Sequence, residues 1–203
     1  MLLKIFAFRF STIAWIKKSD YEIFIKKYQK NIVTELTNNI YRFCNSIVMI
    51  ENKISSLGIR LFDKPPISAG AYIPIVITGN LAFISGQIPI EDDSIPPKVK
   101  FKGKVGKDIS LEDGQKAARL CTINALSHIK NTLGSLDKIK KFVKVSGFVN
   151  CDPSFTEHSK VINEASDLLM HIFGEKGRHA RIAVGASSLP LNSSVEIEFI
   201  VEI

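Results

Sequence analysis

Ile73-Pro74-Ile75-Val76-Ile77-Thr78-Gly79-Asn80-Leu81-Ala82-Phe83-Ile84-Ser85 holds two β-rich apolar runs parted by two residues. Gly79-Asn80 is a two-residue hairpin signal, because both residue types accept the positive φ that a tight primed turn demands. An antiparallel pair therefore opens the folded part of the chain, and the elements after it decide how it is covered. Residues 91–109 lose apolar periodicity and alternate Lys98, Lys100, Lys102 and Lys104 with Val99, Phe101 and Val105, which reads as a long loop or a lysine-guarded edge strand. Ser110 with Asp113 three residues later resembles a capping box. Leu111, Ala117, Ala118, Cys121, Ala125, Ile129 and Leu133 then recur at helical spacing up to Gly134, so a helix spans 111–133. Phe142–Val149 is a further strand, closed by Asn150 to Pro153. Phe155, Ile162, Ala165, Leu169, Ile172 and Phe173 trace a second helix to Gly174, and Ala180–Gly185 and Ser194–Glu202 supply the last two strands around Leu189-Pro190.

The order β-β-(β)-α-β-α-β-β has two helices too few to cover both faces of a sheet. They sit together on one face, which makes the fold class α+β. The other face, expected to carry residues such as Phe83, Val145 and Ile197, needs a cover, and a symmetric oligomer supplies one economically.

Upstream of Pro65-Pro66 the chain changes character. Residues 1–48 carry eight basic groups against three acids and half of the eighteen aromatics, whereas from Met49 onward 19 basic residues face 17 acids. The net charge of +7 thus belongs mostly to the first quarter of the chain and weakly supports nucleic-acid binding by the remainder. The chain divides into a leader, 1–48, and a single domain, 49–203. Lys4 and Arg9 interrupt the leader's apolar run, so no membrane span and no secretory signal core results. The leader reads as upstream sequence before a true start at Met49, as an organelle presequence, or as an amphipathic docking arm. The first reading implies a cytoplasmic protein and the second a mitochondrial one. A composition of 45% apolar and 23% charged residues describes a soluble folded domain.

Cys44, Cys121 and Cys151 have no CxxC spacing, so neither a thiolate zinc site nor a disulfide framework is expected, and no metal is assigned. Cys121 falls on the apolar face of the first helix. Cys151 stands at a strand end with no histidine assignable to it and reads as structural. His128, His158, His171 and His179 read as surface residues. There is no G-x-S-x-G elbow and no phosphate-cradling glycine loop, so nucleotide chemistry is disfavoured. The unusual residue is Arg181 in the apolar run Ala180-Arg181-Ile182-Ala183-Val184, with Val195-Glu196-Ile197-Glu198 further along. Arg181 either forms a salt bridge on the sheet edge or offers two parallel N–H donors to a substrate carboxylate, with Glu196 near enough to orient water or move a proton.

Gly70-Ala71-Tyr72 with Ile84-Ser85-Gly86-Gln87-Ile88-Pro89, then Phe148-Val149 with Val161-Ile162-Asn163, then Ala180-Arg181, Leu189-Pro190 and Val195-Glu196-Ile197-Glu198 resemble the Rid (YjgF-type) family of reactive-intermediate imine deaminases. The resemblance covers about residues 64–203. It implies a chorismate-mutase-like sheet with two helices on one face, assembled as a homotrimer whose sheets form an inner barrel with clefts between subunits. It also implies hydrolysis of 2-imino and 2-enamino acids such as 2-aminoacrylate to 2-keto acids and ammonia, without cofactor. Arg181 would bind the substrate carboxylate, Glu196 would position or activate water, and Tyr72, Ser85, Gly86 and Asn163 would line the cleft. The chain departs from the family pattern at Ala71, where proline is usual, and at Ala183, where many members have cysteine. It also has a longer 91–109 segment and places Gly177-Arg178-His179 before the Ala-Arg pair, so Arg178 is an alternative anion binder. A non-catalytic trimer that binds a small carboxylate, as a metabolite sensor or holdase, is the competing function. RNA cleavage by the lysine-rich 98–107 loop is a third, with no evident catalytic histidine pair behind it.

Overall fold

The computed structural model of the protein describes residues 50–65, 70–91 and 98–203. The readings of the leader, and of the 92–97 part of the 91–109 segment, lie outside them. Met49–Ile203 is one compact unit. Its elements are α1 (Ile50–Ser56), β1 (Ile75–Thr78), β2 (Leu81–Gln87), α2 (Leu111–Leu133), β3 (Lys141–Asn150), α3 (His158–Phe173), β4 (Ala180–Ala186) and β5 (Val195–Glu202). The short α1 is additional to the two helices expected. The strands form one sheet in the order β1-β2-β5-β3-β4. Every neighbouring pair is antiparallel except β3 and β4, which run parallel because α3 carries the chain back between them.

Local chemistry explains the ends of α2. The Ser110 hydroxyl accepts from the Asp113 N–H at 3.1 Å, and Gly134 takes the left-handed conformation at φ 81° and donates to the Lys130 carbonyl. Inside the helix, Thr122 and Ser127 return their hydroxyls to the carbonyls of Ala118 and Ile123, so these two polar side chains on its buried face have partners. Asn124 reaches out of the helix to the Ile88 and Ile90 carbonyls, fixing the chain beyond β2. The hairpin turns at Gly79, φ 58°. Within the 91–109 stretch the described residues, 91 and 98–109, form a loop with isolated bridges, Ile90 to Val99 and Val105 to Cys151 among them. Its alternation is nonetheless real: Val99 and Val105 are buried while Lys100 and Lys102 face solvent.

The core lies between the sheet and the pair α2 and α3. Phe142 sits at its centre, 5.0 Å from the Phe173 ring and 6.4 Å from that of Phe199. Val195, Ile197, Phe199 and Val201 line the helix side of β5. Gly147 is required by proximity, since a Cβ there would lie 2.6 Å from two carbons of Ile162, and its absence lets α3 settle on β3. The open face differs from the one expected. Val145 and Ile197 are 0% exposed and point to the helices, while Phe83, at 40%, does point outward. The strand alternation could have put either set inward; Glu196 and Glu198, flanking Ile197, take the uncovered face and force Ile197 in. This second face, on which no helix among the described residues packs, carries cross-strand rows, Val76-Phe83-Ile200 and Glu196-Phe148-Val184, and is largely apolar.

Candidate functional site

Arg181 pairs with Val145 in the sheet register and so shares the helix side of edge strand β4. Its Nη1 donates to Asn163 Oδ1 at 2.8 Å and to Ser166 Oγ at 3.1 Å, both on α3. The salt-bridge reading of Arg181 is not realised: among the described residues its partners are neutral, and its Nε and Nη2 donors are left for something else. Ser166 is held in turn. His179 Nδ1 lies 2.7 Å from the Gly177 carbonyl, which can only accept, so the neutral ring presents Nε2 as acceptor to the Ser166 hydroxyl at 3.0 Å. Burial holds the His179 pKa below its ordinary value, the Gly177 carbonyl opposes this and Arg181 reinforces it. The guanidinium is therefore positioned by a chain of neutral groups that leaves its charge uncompensated. Ser166 and His179 were missed in the sequence, since only the crossing of α3 over β4 brings them to Arg181. Arg178 pairs with Glu175 on the surface at 3.1 Å and takes no part in this cluster.

The other residues assemble elsewhere. Glu196 pairs with Phe148 and points to the uncovered face of the sheet. Gly86 lies against it, so closely that a Cβ would fall 2.0 Å from Glu196 Oε1. Ser85 donates its hydroxyl to the Ile73 carbonyl at 3.0 Å and its N–H to the Pro74 carbonyl at 2.9 Å, tying the end of β2 to the segment that carries the exposed Tyr72. Within one chain the expected site residues thus fall into two separate groups. Tyr72, Ser85, Gly86 and Glu196 belong to the hairpin end and the open face, Asn163 and Arg181 to the helix side of the opposite edge. Within a chain Arg181 and Glu196 do not meet, contrary to the expectation that Glu196 stands near the guanidinium.

Burial raises the Glu196 pKa, and Glu198 adds to the shift. A raised carboxyl pKa means that the folded protein holds this proton more tightly than the unfolded chain. Ionised Glu196 therefore costs stability above its folded pKa, and that cost disappears below the ordinary carboxylate value. Glu196→Gln is expected to raise Tm by roughly 1–4 °C at about pH 7.5, with the gain fading by about pH 4, in a calorimetric pH series.

Among the described residues no group of three or more His, Cys, Asp or Glu is placed to hold a metal ion, and no helix among them is long and apolar enough to cross a membrane. Cys121 is core, as expected, its thiol pushed well up by burial. The histidines are not all on the surface. His128 is buried, His179 is half-buried in the Arg181 cluster, and His158 lies 3.3 Å from Cys151.

Residues 51–203 match the family described as "YjgF/chorismate_mutase-like, putative endoribonuclease". The chain belongs to the YjgF/Rid family. This Rid-family chain is 41% identical over 153 residues to Protein TCP17 of Trypanosoma cruzi, a match covering 74% of this chain and 91% of that one. It superposes with a TM-score of 0.70 on the crystal structure of an Agrobacterium tumefaciens protein of unknown function, at 44% identity, covering 82% of this chain and 99% of that one. A Shewanella oneidensis structure described as a "putative endoribonuclease" gives a TM-score of 0.72 at 34% identity, covering 76% of this chain and 99% of the other. The chorismate-mutase-like α+β fold expected of a Rid-family chain is the one present.

Proposed function

We propose that the protein hydrolyses reactive 2-imino and 2-enamino acids to 2-keto acids and ammonia, in clefts where two copies of the chain meet in a homotrimer. The observation that carries this reading is the exposed Arg181 side chain, whose bonds to Asn163 and Ser166 both run through Nη1 and leave Nε and Nη2 for a ligand. Such an edge fits a carboxylate with two parallel N–H donors. The apolar open face and the division of Arg181 from Glu196 both favour assembly. A second copy would cover Val76, Phe83 and Val184 and bring its own Glu196 half-site to the first copy's Arg181.

The chemistry asks little beyond placement. With the carboxylate clamped, C2 of the imine is already electrophilic. Water adds there while Glu196 takes one of its protons, and the C=N π pair moves to nitrogen, which is protonated. The C–N bond of the carbinolamine then breaks, ammonia leaves, and C=O forms. An enamine first takes a proton at C3 to become the imine. A carboxyl whose pKa burial has raised is a suitable group to accept and return that proton.

A second reading, a non-catalytic trimer that binds small carboxylates, is favoured by Ala183. It shares the face of Arg181 on β4 and offers only a methyl group. The experiment is 2-keto acid release from imines generated in situ by an amino-acid oxidase. Release above the protein-free blank supports the deaminase. A rise in Tm with a 2-keto acid, but no turnover, supports the binding protein instead.

A further inference from the structure

Cys151, the residue after β3, and His158, the first of α3, are brought together by the turn between them, with Sγ 3.3 Å from Nε2. The Phe155 ring packs edge-on against the imidazole at 5.5 Å and holds it there. Above the pair lies Gly185 of the edge strand. A Cβ at Gly185 would sit 2.7 Å from His158 Nε2 and 3.0 Å from Cys151 Sγ, so any side chain would close the pair off. The backbone of Gly185 does not have the positive φ that would itself demand glycine; what needs glycine is the space. Because Gly185 is exposed, that space opens outward, into a cleft of about 380 Å³ lined by Lys104, Asp152, Phe155, Ala186 and Ser187 as well as the pair.

The charges around the pair are few. Lys104 Nζ donates to Asn150 Oδ1 at 3.1 Å, the Cys151 carbonyl at 3.5 Å and the Ser187 carbonyl at 2.5 Å. Its donors are thus occupied and it supplies positive charge beside the sulfur. Asp152 is turned to Ser154, whose N–H and hydroxyl it accepts at 2.9 and 2.6 Å.

We infer that Cys151 and His158 form a nucleophile–base pair, reached across Gly185, that takes small soft carbon electrophiles activated by an adjacent or conjugated carbonyl. The pair shares no residue with the deaminase half-sites and does not depend on that reading. Burial raises the Cys151 pKa against the pull of Lys104, so the resting group is a thiol and His158 acts as general base during attack. With an activated alkene, the S–C bond forms at the β-carbon and the π pair moves to the α-carbon. His158 takes the thiol proton and returns it there. With iodoacetamide, the S–C bond forms, iodide leaves with the C–I pair, and the proton stays on His158 until exchanged with water. Neither step needs an oxidant or reductant.

The test is alkylation of the full chain by iodoacetamide and by acrylamide, with the rate at each cysteine read by peptide mass mapping. Cys121, fully buried, is the internal reference. In the native protein Cys151 is expected to react at least about tenfold faster than Cys121, and His158→Gln to slow Cys151 at least about tenfold. Gly185→Ala, at an exposed strand position, is expected to slow it as well and serves if His158→Gln does not melt cooperatively. A Cys151 rate unchanged by these variants, or reaction only on unfolding, overturns the inference.

Discussion

Arg181→Ala is expected to lower kcat/KM for 2-keto acid release by roughly 100–1,000-fold while leaving the fold intact. The guanidinium would make two charge-assisted bonds to the substrate carboxylate, each worth about 1.5–3 kcal/mol. Its removal also takes away the only charge in a cluster whose other members, Asn163, Ser166 and His179, are neutral. The side chain is exposed and its two partners are polar groups within reach of water, so truncation leaves no buried charge unpaired. Arg181→Lys should recover only part of the loss, because an ammonium cannot reproduce the parallel pair of donors. Steady-state kinetics of both variants, with melting curves as the control for folding, check this. An alanine variant within about threefold of wild type would remove Arg181 from the site.

Phe142→Ala is expected to give the largest loss of stability, about 3–5 kcal/mol, read from the denaturant midpoint at an unchanged m-value. Phe142 is fully buried and touches both sides of the core, Phe173 at the end of α3 and Phe199 in the middle of the sheet. Alanine there leaves a cavity that neither ring can fill, since Phe173 is tethered to a helix and Phe199 to a central strand. The consequence reaches the site, because α3 carries Asn163 and Ser166 and rests on β3 through Ile162 over Gly147.

Elements whose ends are set by local chemistry were legible in the sequence. Helix α2 runs between Ser110 and Gly134 as expected, because a hydroxyl cap and a left-handed glycine act within one turn of their own position. The hairpin at Gly79-Asn80 was legible for the same reason. Helix α3 was blurred at its start: Glu157 makes no side-chain cap bond, and Phe155, read as helical, lies in the turn before it. Which face of the sheet each residue takes was not legible. A one-residue offset inverts the set, and the irregularities at Ile84/Gln87 and Phe142/Lys144 shift the register without any mark in the local pattern. The candidate site shows the same limit. Arg181, Asn163 and Glu196 stand out by motif, but their separation onto two faces is a matter of strand parity. The pairing of Cys151 with His158 depends on how one turn closes.

A cleft between subunits would join Arg181 of one copy to Glu196 of another, and mixed oligomers report on that union. Arg181→Ala and Glu196→Gln chains are each prepared alone, where 2-keto acid release is expected to be lost, and then co-expressed so that they assemble together. If each cleft draws its two halves from different chains, random mixing of equal amounts restores roughly a quarter of the wild-type rate, because one ordered pairing in four reunites an intact Arg181 with an intact Glu196. Mixed oligomers as inactive as either parent, made from chains whose wild-type form is active, would contradict it.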